Sequence, residues 1–386
     1  MSSVPTRHAT GGLDPGVALA SLILILFGVV MSYSATAALD LESPLPPLFF
    51  DHVTGLVAGL ALAAVAYAAP AVVIRRLALP VWGLTVVLLV VTLVVGVEVN
   101  GARRWLDVPG IGFRFQPGEL AKCVTLIAVA DWLSRRQDRR ELTTRRTLEA
   151  AGLAIVPAGL LLLQPDLGNA VVLVSLTALL LFIAGTPWPR FVLPGFAGVV
   201  LVGVYILFNP YAMRRVTGFL DPFRDSLGAG WQLVQSYLAF SQGNWMGKGL
   251  GYSRQKLDYL PEAHTDFVLA LVAEELGLVG VLVVIGAFAA LWIAGTRVAR
   301  RARDKFDVLC GFGMAALLTI PAFLNASVVM GLVPTKGLTL PFLSYGRTSL
   351  VVCCFALGCL LGVARRHPAT PASTPKIREA TWPGVG

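Results

Sequence analysis

Apolar residues in this chain are gathered into long blocks, separated by short polar breaks, with little of the two-residue alternation of a half-buried strand. Blocks near the roughly 20 residues that carry a helix across a bilayer recur at 15–36, 53–69, 77–97, 119–133, 148–163, 167–184, 191–208, 267–294, 306–330 and 349–363. Irregular backbone facing lipid would leave its amides unpaired, so each block is taken as a helix. The pattern predicts an all-α polytopic membrane protein of about ten transmembrane helices. They form one transmembrane domain at 1–366, with one large extracytoplasmic loop, 209–266, between helices 7 and 8. Connections longer than about 12–15 residues are usually functional or disordered. Trp231, Tyr237, Phe240, Trp245 and Tyr259 give this one apolar anchors. Within it, "WQLVQSYLAF" has helical spacing and suits an interfacial helix or a packed surface helix equally. Residues 367–386 are rich in Pro, Ser and Thr and read as a disordered cytoplasmic tail.

Composition supports the membrane class: 56% hydrophobic, 14% charged and a mean hydropathy of +0.74 exclude an ordinary soluble domain. The apolar core of the first block exceeds the ~7–15 residues of a signal peptide, so it is kept as a span. The net charge of +9 is concentrated in Arg75–Arg76, 134–146, 297–305 and Arg365–Arg366, each after an even-numbered block. By the positive-inside rule those breaks are cytoplasmic, and so are both termini. No basic domain exists apart from these span ends, which excludes nucleic acid as a partner. The five cysteines lie in apolar blocks without metal-ligand spacing and read as small hydrophobes.

Four polar segments then face the opposite side: 100–122, 164–170, 209–267 and 331–349. Their motifs "GARRW", "QPGELAK", "QPDLGNA", "KLDYLPEAHTDF", "EELGLVG" and "PTKGLTLPFLSYG" occur in the order found in the SEDS family of bacterial cell-wall polymerases. The resemblance covers nearly all ten blocks, and "LPEAHTDF" with "PTKGLTLPF" resembles the division branch more than the elongation branch. It implies an inverting glycosyltransferase of the bacterial cytoplasmic (inner) membrane, at the division septum, that polymerises lipid II. Lipid II is a disaccharide-pentapeptide on a polyprenyl diphosphate. The implied partners are a class B penicillin-binding protein, which cross-links the strands, and other division proteins.

The resemblance assigns Asp266 as the essential aspartate, a general base for the sugar hydroxyl. Spacing alone also allows Thr265 or Asp266 to cap the following helix. Arg104, Trp105, Lys256, His264, Lys336, Ser344 and Arg347 are candidate substrate-binding residues, the cations for diphosphate and Trp105 for a sugar face. Glu119 and Lys122, three apart on one helical face, read as an ion pair supporting the site. Glu262 and Asp258 read as loop acids. Glu274 and Glu275 read as structural, pointing apart because adjacent helix positions diverge by about 100°. Departures from the family are Gly118 and Arg347, where serine and glycine are usual, and Asn169, where threonine is common. Mg²⁺ or Mn²⁺ bridging diphosphate to Asp266 is chemically reasonable, though no ligand cluster specifies it. A lipid II flippase and a non-catalytic division scaffold are the competing functions.

Overall fold

The computed structural model describes residues 12–37, 46–99, 101–108, 110, 113–135 and 142–368. Most of the proposed tail and part of the arginine-rich 134–146 break lie outside the described residues. Each of the ten apolar blocks coincides with a helix: α1 (Pro15–Ala37), α2 (Pro47–Ala68), α3 (Ala71–Val95), α4 (Pro117–Ser134), α5 (Thr144–Leu163), α6 (Leu167–Ile183), α7 (Pro189–Phe208), α10 (Val268–Arg301), α11 (Lys305–Val329) and α12 (Arg347–Arg366). Eight of these are long and apolar enough to cross a membrane; α4 and α6 fall short. α6 has only 17 residues, and α4 carries Glu119, Lys122 and Asp131. α4 tolerates those charges because it is buried on nearly every side and shows lipid little of its surface.

Two features depart from a plain bundle. The segment after α3 folds into a small antiparallel sheet, β1 (Val97–Val99), β2 (Ala102–Val108) and β3 (Phe113–Phe115), in spatial order β1-β2-β3. The long connection after α7 contains α8 (Pro210–Leu220), α9 (Trp231–Gly243) and one π-helical turn, Gln255–Tyr259. α9 is the helix expected from "WQLVQSYLAF", and it is packed: Leu233, Ser236, Ala239 and Gly243 form a buried face against α10. Ser236 also donates to the Val329 carbonyl at the end of α11, 2.7 Å away.

α11 and α12 are the most buried spans, with α2 lying along α12, whereas α7 has no buried residue at all. All five cysteines are buried and free. Helix starts are fixed by local chemistry. Asp14, Asp166 and Asp304 accept first-turn amide bonds, and Pro47, Pro117 and Pro189 stand where a helix lacks an amide partner anyway.

The two ends of the bundle differ. At one end, arginines pair with buried acids: Arg75 and Arg135 with Asp131 (3.0 and 2.6 Å), and Arg366 with Asp307 (2.6 Å). At the other, the sheet, α8, α9 and the 331–346 segment gather around the start of α10.

α10 is broken near its start. Gly277 has φ 67° and ψ −165°, and the 244–249 segment is stitched into the gap. The Leu278 and Val279 amides donate to the Asn244 and Trp245 carbonyls, while the Lys248 and Gly249 amides donate to the carbonyls of Glu274 and Glu275. A Cβ on Gly277 would sit 2.4 Å from the Gly247 nitrogen, so only glycine fits.

Candidate active site

Asp266 stands in the turn that leads into α10. That turn is wound on Glu262, which adopts the left-handed conformation (φ 58°) and whose carbonyl accepts the amides of Thr265, Asp266 and Phe267. The residue capping α10 is Phe267, and no side chain bonds the first-turn amides. Neither Thr265 nor Asp266 is therefore the helix cap. Thr265 instead donates to the Glu262 carboxylate at 2.7 Å, and among the described residues the Asp266 carboxylate does not cap α10.

Around it the chain brings in remote groups. Gly337 abuts the carboxylate so closely that a Cβ there would lie 3.0 Å from Oδ2. Asn325, fully buried in α11, donates to the Asp266 carbonyl (2.7 Å) and to the Leu338 carbonyl (2.6 Å). Arg215 from α8 donates to the Thr335 carbonyl at 3.2 Å. Arg104 from β2 donates to the Gln164 carbonyl at 3.3 Å and to that of Pro165. Burial pushes the half-buried Asp266 carboxyl up to about 7; Glu262 adds to the rise, and Arg215 and Arg104 oppose it.

Lys336, one residue before Gly337, is half-buried, and its ammonium has no hydrogen bond or ion pair among the described residues. Burial lowers its pKa, which marks a cation poorly satisfied by the protein alone. His264 is half-buried beside Tyr345, ring centroids 5.9 Å apart, and burial lowers its pKa against the opposing pull of Glu262. Trp105 is half-buried in β2, next to Arg104.

Behind this group runs a buried polar chain. Lys122 bonds Glu119 and Asn169, both at 2.8 Å, and Asn169 passes to Asp166 at 2.8 Å. Asn169, where threonine is common, thus links the α4 ion pair to the capping Asp166 of α6. Glu119 and Lys122 also line a cavity of about 20 Å³ with Leu338, Thr339, Ser349 and Cys353, room for about one water.

Three of the anticipated substrate contacts are engaged elsewhere. The Lys256 ammonium is buried against the Gly251 carbonyl (2.7 Å) and Glu275 (3.2 Å). Arg347 pairs with Asp51 of α2 at 3.2 Å, and Tyr345 Oη donates to the same carboxylate. Burial, then Asp51, push the Tyr345 phenol up to about 12. The Ser344 hydroxyl accepts the Leu340 amide (2.7 Å) and donates to the Thr265 carbonyl. Glu274 and Glu275 do have different side-chain partners, as their divergence on the helix implies, but both are buried and both are met by the 248–256 segment that wraps that part of α10. Glu274 takes Ser253 and Lys248 while Glu275 takes Lys256 and Ser34. Sequence reasoning missed Arg215 and Asn325. The signal for Asn325 was one amide in the apolar run "PAFLNASVV"; for Arg215 it was the two-sided pattern of "PYAMRRVTGFL".

The model of the FtsW/RodA/SpoVE family, described as cell cycle proteins, matches residues 16–368. The chain belongs to this family. Among its FtsW relatives, the probable peptidoglycan glycosyltransferase FtsW of Trichlorobacter lovleyi is 39% identical over 350 residues, 88% of this chain and 90% of that protein. The probable peptidoglycan glycosyltransferase FtsW of Geobacter metallireducens is 40% identical over 364 residues, 93% and 96% of the two chains. A solved chain from a peptidoglycan synthase complex that coordinates polymerization and crosslinking aligns with a TM-score of 0.75 at 32% identity, covering 93% of this chain and 99% of that one. The rod shape determining protein RodA of Thermus thermophilus aligns with a TM-score of 0.68 at 30% identity, covering 95% and 100%. This FtsW/RodA/SpoVE protein is thus a multi-pass bacterial membrane protein of the SEDS type.

Proposed function

We propose that Asp266 is the general base of a glycosyl transfer that extends peptidoglycan strands from lipid II at the division septum. The protein is a peptidoglycan glycosyltransferase of cell-wall synthesis, the activity named for FtsW relatives aligned over most of both chains. In the proposed step, Asp266 takes the proton of the incoming sugar 4-hydroxyl as that oxygen bonds the anomeric carbon. The bond from that carbon to diphosphate breaks, its electron pair leaves on the diphosphate, and the anomeric centre inverts. Diphosphate needs positive charge more than a proton, and Arg104, Arg215 and Lys336 are the proposed holders, with Trp105 and His264 beside the sugar.

One observation carries the reading: a carboxylate that caps no helix, raised to about 7 by burial while the guanidiniums of Arg215 and Arg104 act against that rise. A base with pKa near the working pH balances availability against proton affinity. The crowding of polar groups at one end of the bundle also favours one-sided catalysis over alternating access, which gathers polar groups at the midplane. Among the described residues no three His, Cys, Asp or Glu side chains converge on a common point. That is no dedicated all-protein metal cage; a Mg²⁺ or Mn²⁺ ion shared between the diphosphate and Asp266 would need only this one carboxylate, and it would supply charge neutralisation to the leaving group.

Arginine-rich helix ends on the cytoplasmic side would put the site on the outer face and both termini inside. The similarity to a synthase-complex subunit supports a class B penicillin-binding protein as partner, and the division-type motifs support work beside other divisome proteins. The test is polymerisation of lipid II by the purified protein, with and without that partner. Wild type makes glycan strands and Asp266→Asn, equally folded, makes none. Normal strand synthesis by the Asn variant overturns the assignment. So does a wild type that only moves lipid II between leaflets.

A further inference from the structure

The backbone of the Asp266 turn is held by a clamp. Three consecutive carbonyls, of His264, Thr265 and Asp266, accept hydrogen bonds from the Tyr345 amide (2.8 Å), the Ser344 hydroxyl and the Asn325 side chain (2.7 Å). The two side-chain donors are each used twice. Asn325 gives its other N–H to Leu338, and Ser344 accepts the amide of Leu340. Each tie to the Asp266 turn is thereby matched by a tie to the segment that lays Gly337 against the carboxylate and carries Lys336 one residue before it.

Helix building alone does not ask for this. The orphan groups at a helix start are amides, whereas the groups held here are carbonyls ahead of it. Asn325 also buries an Oδ1 with no hydrogen-bond partner among the described residues, a desolvation cost that an apolar residue of similar shape would avoid. What the arrangement does achieve is a fixed distance between the Asp266 turn and the 336–340 segment.

We infer that Asn325 and Ser344 are positioning residues for the glycosyl transfer, locking the Asp266 turn to the 336–340 segment so that base and cation meet the lipid-linked diphosphate sugar as one rigid unit. The inference rests on Asp266 acting as the base. Misplacement of reacting groups by about 1 Å costs on the order of 100-fold in rate, so a loosened clamp acts on turnover rather than on binding. The charged groups that act on Asp266 are Glu262 in its own turn, Arg215 on α8, Arg104 on β2 and Asp166 at the start of α6. None is removed by changes at Ser344 or Asn325. A shifted pH profile in those variants therefore reports water reaching the carboxylate.

The experiment measures strand synthesis from lipid II by purified full-length Ser344→Ala, Ser344→Thr, Asn325→Leu and Asp266→Asn, each normalised to folded protein. Ser344→Ala and Asn325→Leu are expected to lower kcat about 10- to 100-fold with KM within about twofold, and to move the acid limb of the pH profile downward. Ser344→Thr, which keeps the hydroxyl, restores both. Wild-type kcat and pH profile in Ser344→Ala and Asn325→Leu, with Asp266→Asn inactive, overturns the clamp and leaves the base standing. Activity in Asp266→Asn is the separate result that removes the base. Failure of both clamp variants to fold, or lost activity with an unmoved pH profile, assigns the two residues to stability alone and also overturns the inference.

Discussion

Ser34 and Glu275 lie 241 positions apart and meet inside the protein, the serine hydroxyl 2.7 and 2.6 Å from the two carboxylate oxygens. Through Glu275 the C-terminal end of α1 is joined to α10 and, by Lys256, to the 248–256 segment. Lys256 and Glu275 are almost fully buried, so removing one partner strands the other's charge. Glu275→Ala is expected to cost about 3–5 kcal/mol, seen as a lower Tm in detergent. Adding Lys256→Met should recover part of that loss; no recovery would show that the pair is not coupled.

Gly277→Ala should be more damaging than its size suggests. Its φ and ψ lie in a region used almost only by glycine, worth about 1–3 kcal/mol of strain for alanine. The added methyl also meets the backbone of Gly247 and Trp245. A lowered Tm together with faster proteolysis within 244–249 is the expected signature. An unchanged protein would mean that the α10 break is dispensable.

The pH dependence of turnover has a definite sign. A base works deprotonated, so with a carboxyl at about 7 the rate falls as pH drops through about 7. Glu262→Gln removes a neighbouring negative charge and should move that limb to lower pH. Arg215→Gln removes a positive one and should move it higher. Initial-rate profiles of the three proteins check this, and shifts in the same direction would contradict it.

Lys336→Met should separate stability from activity. A half-buried ammonium with no partner among the described residues is a cost to the folded protein, so methionine is expected to hold or raise Tm. If Lys336 holds diphosphate, the same change raises KM for lipid II about tenfold or more. Unaltered KM with raised Tm would remove Lys336 from the site.

Much of the architecture was written in the chain. A bilayer demands long apolar helices, so the ten helical blocks could be counted from hydropathy. The small sheet at 97–115 could not, because its strands are short and lie between the 77–97 and 119–133 blocks in a polar segment without clear two-residue alternation. Asp266, Arg104, Lys336, His264, Glu119 and Lys122 do gather near one end of the bundle, as their motifs suggested.

Choice of partner was decided only in three dimensions. Lys256, Ser344 and Arg347 looked as free to meet substrate as Lys336, yet each is taken by a group from a remote element. Glu274 and Glu275 converge on one segment because the chain folds back around them, which helical periodicity cannot report. Hydropathy and motif order act locally and so determined the membrane class, the helices and the family. A polar side chain's role depends on which distant atoms lie within about 3 Å of it. That is set by the packing of all the helices together, and it separated the Asp266 site from the clamps that hold it.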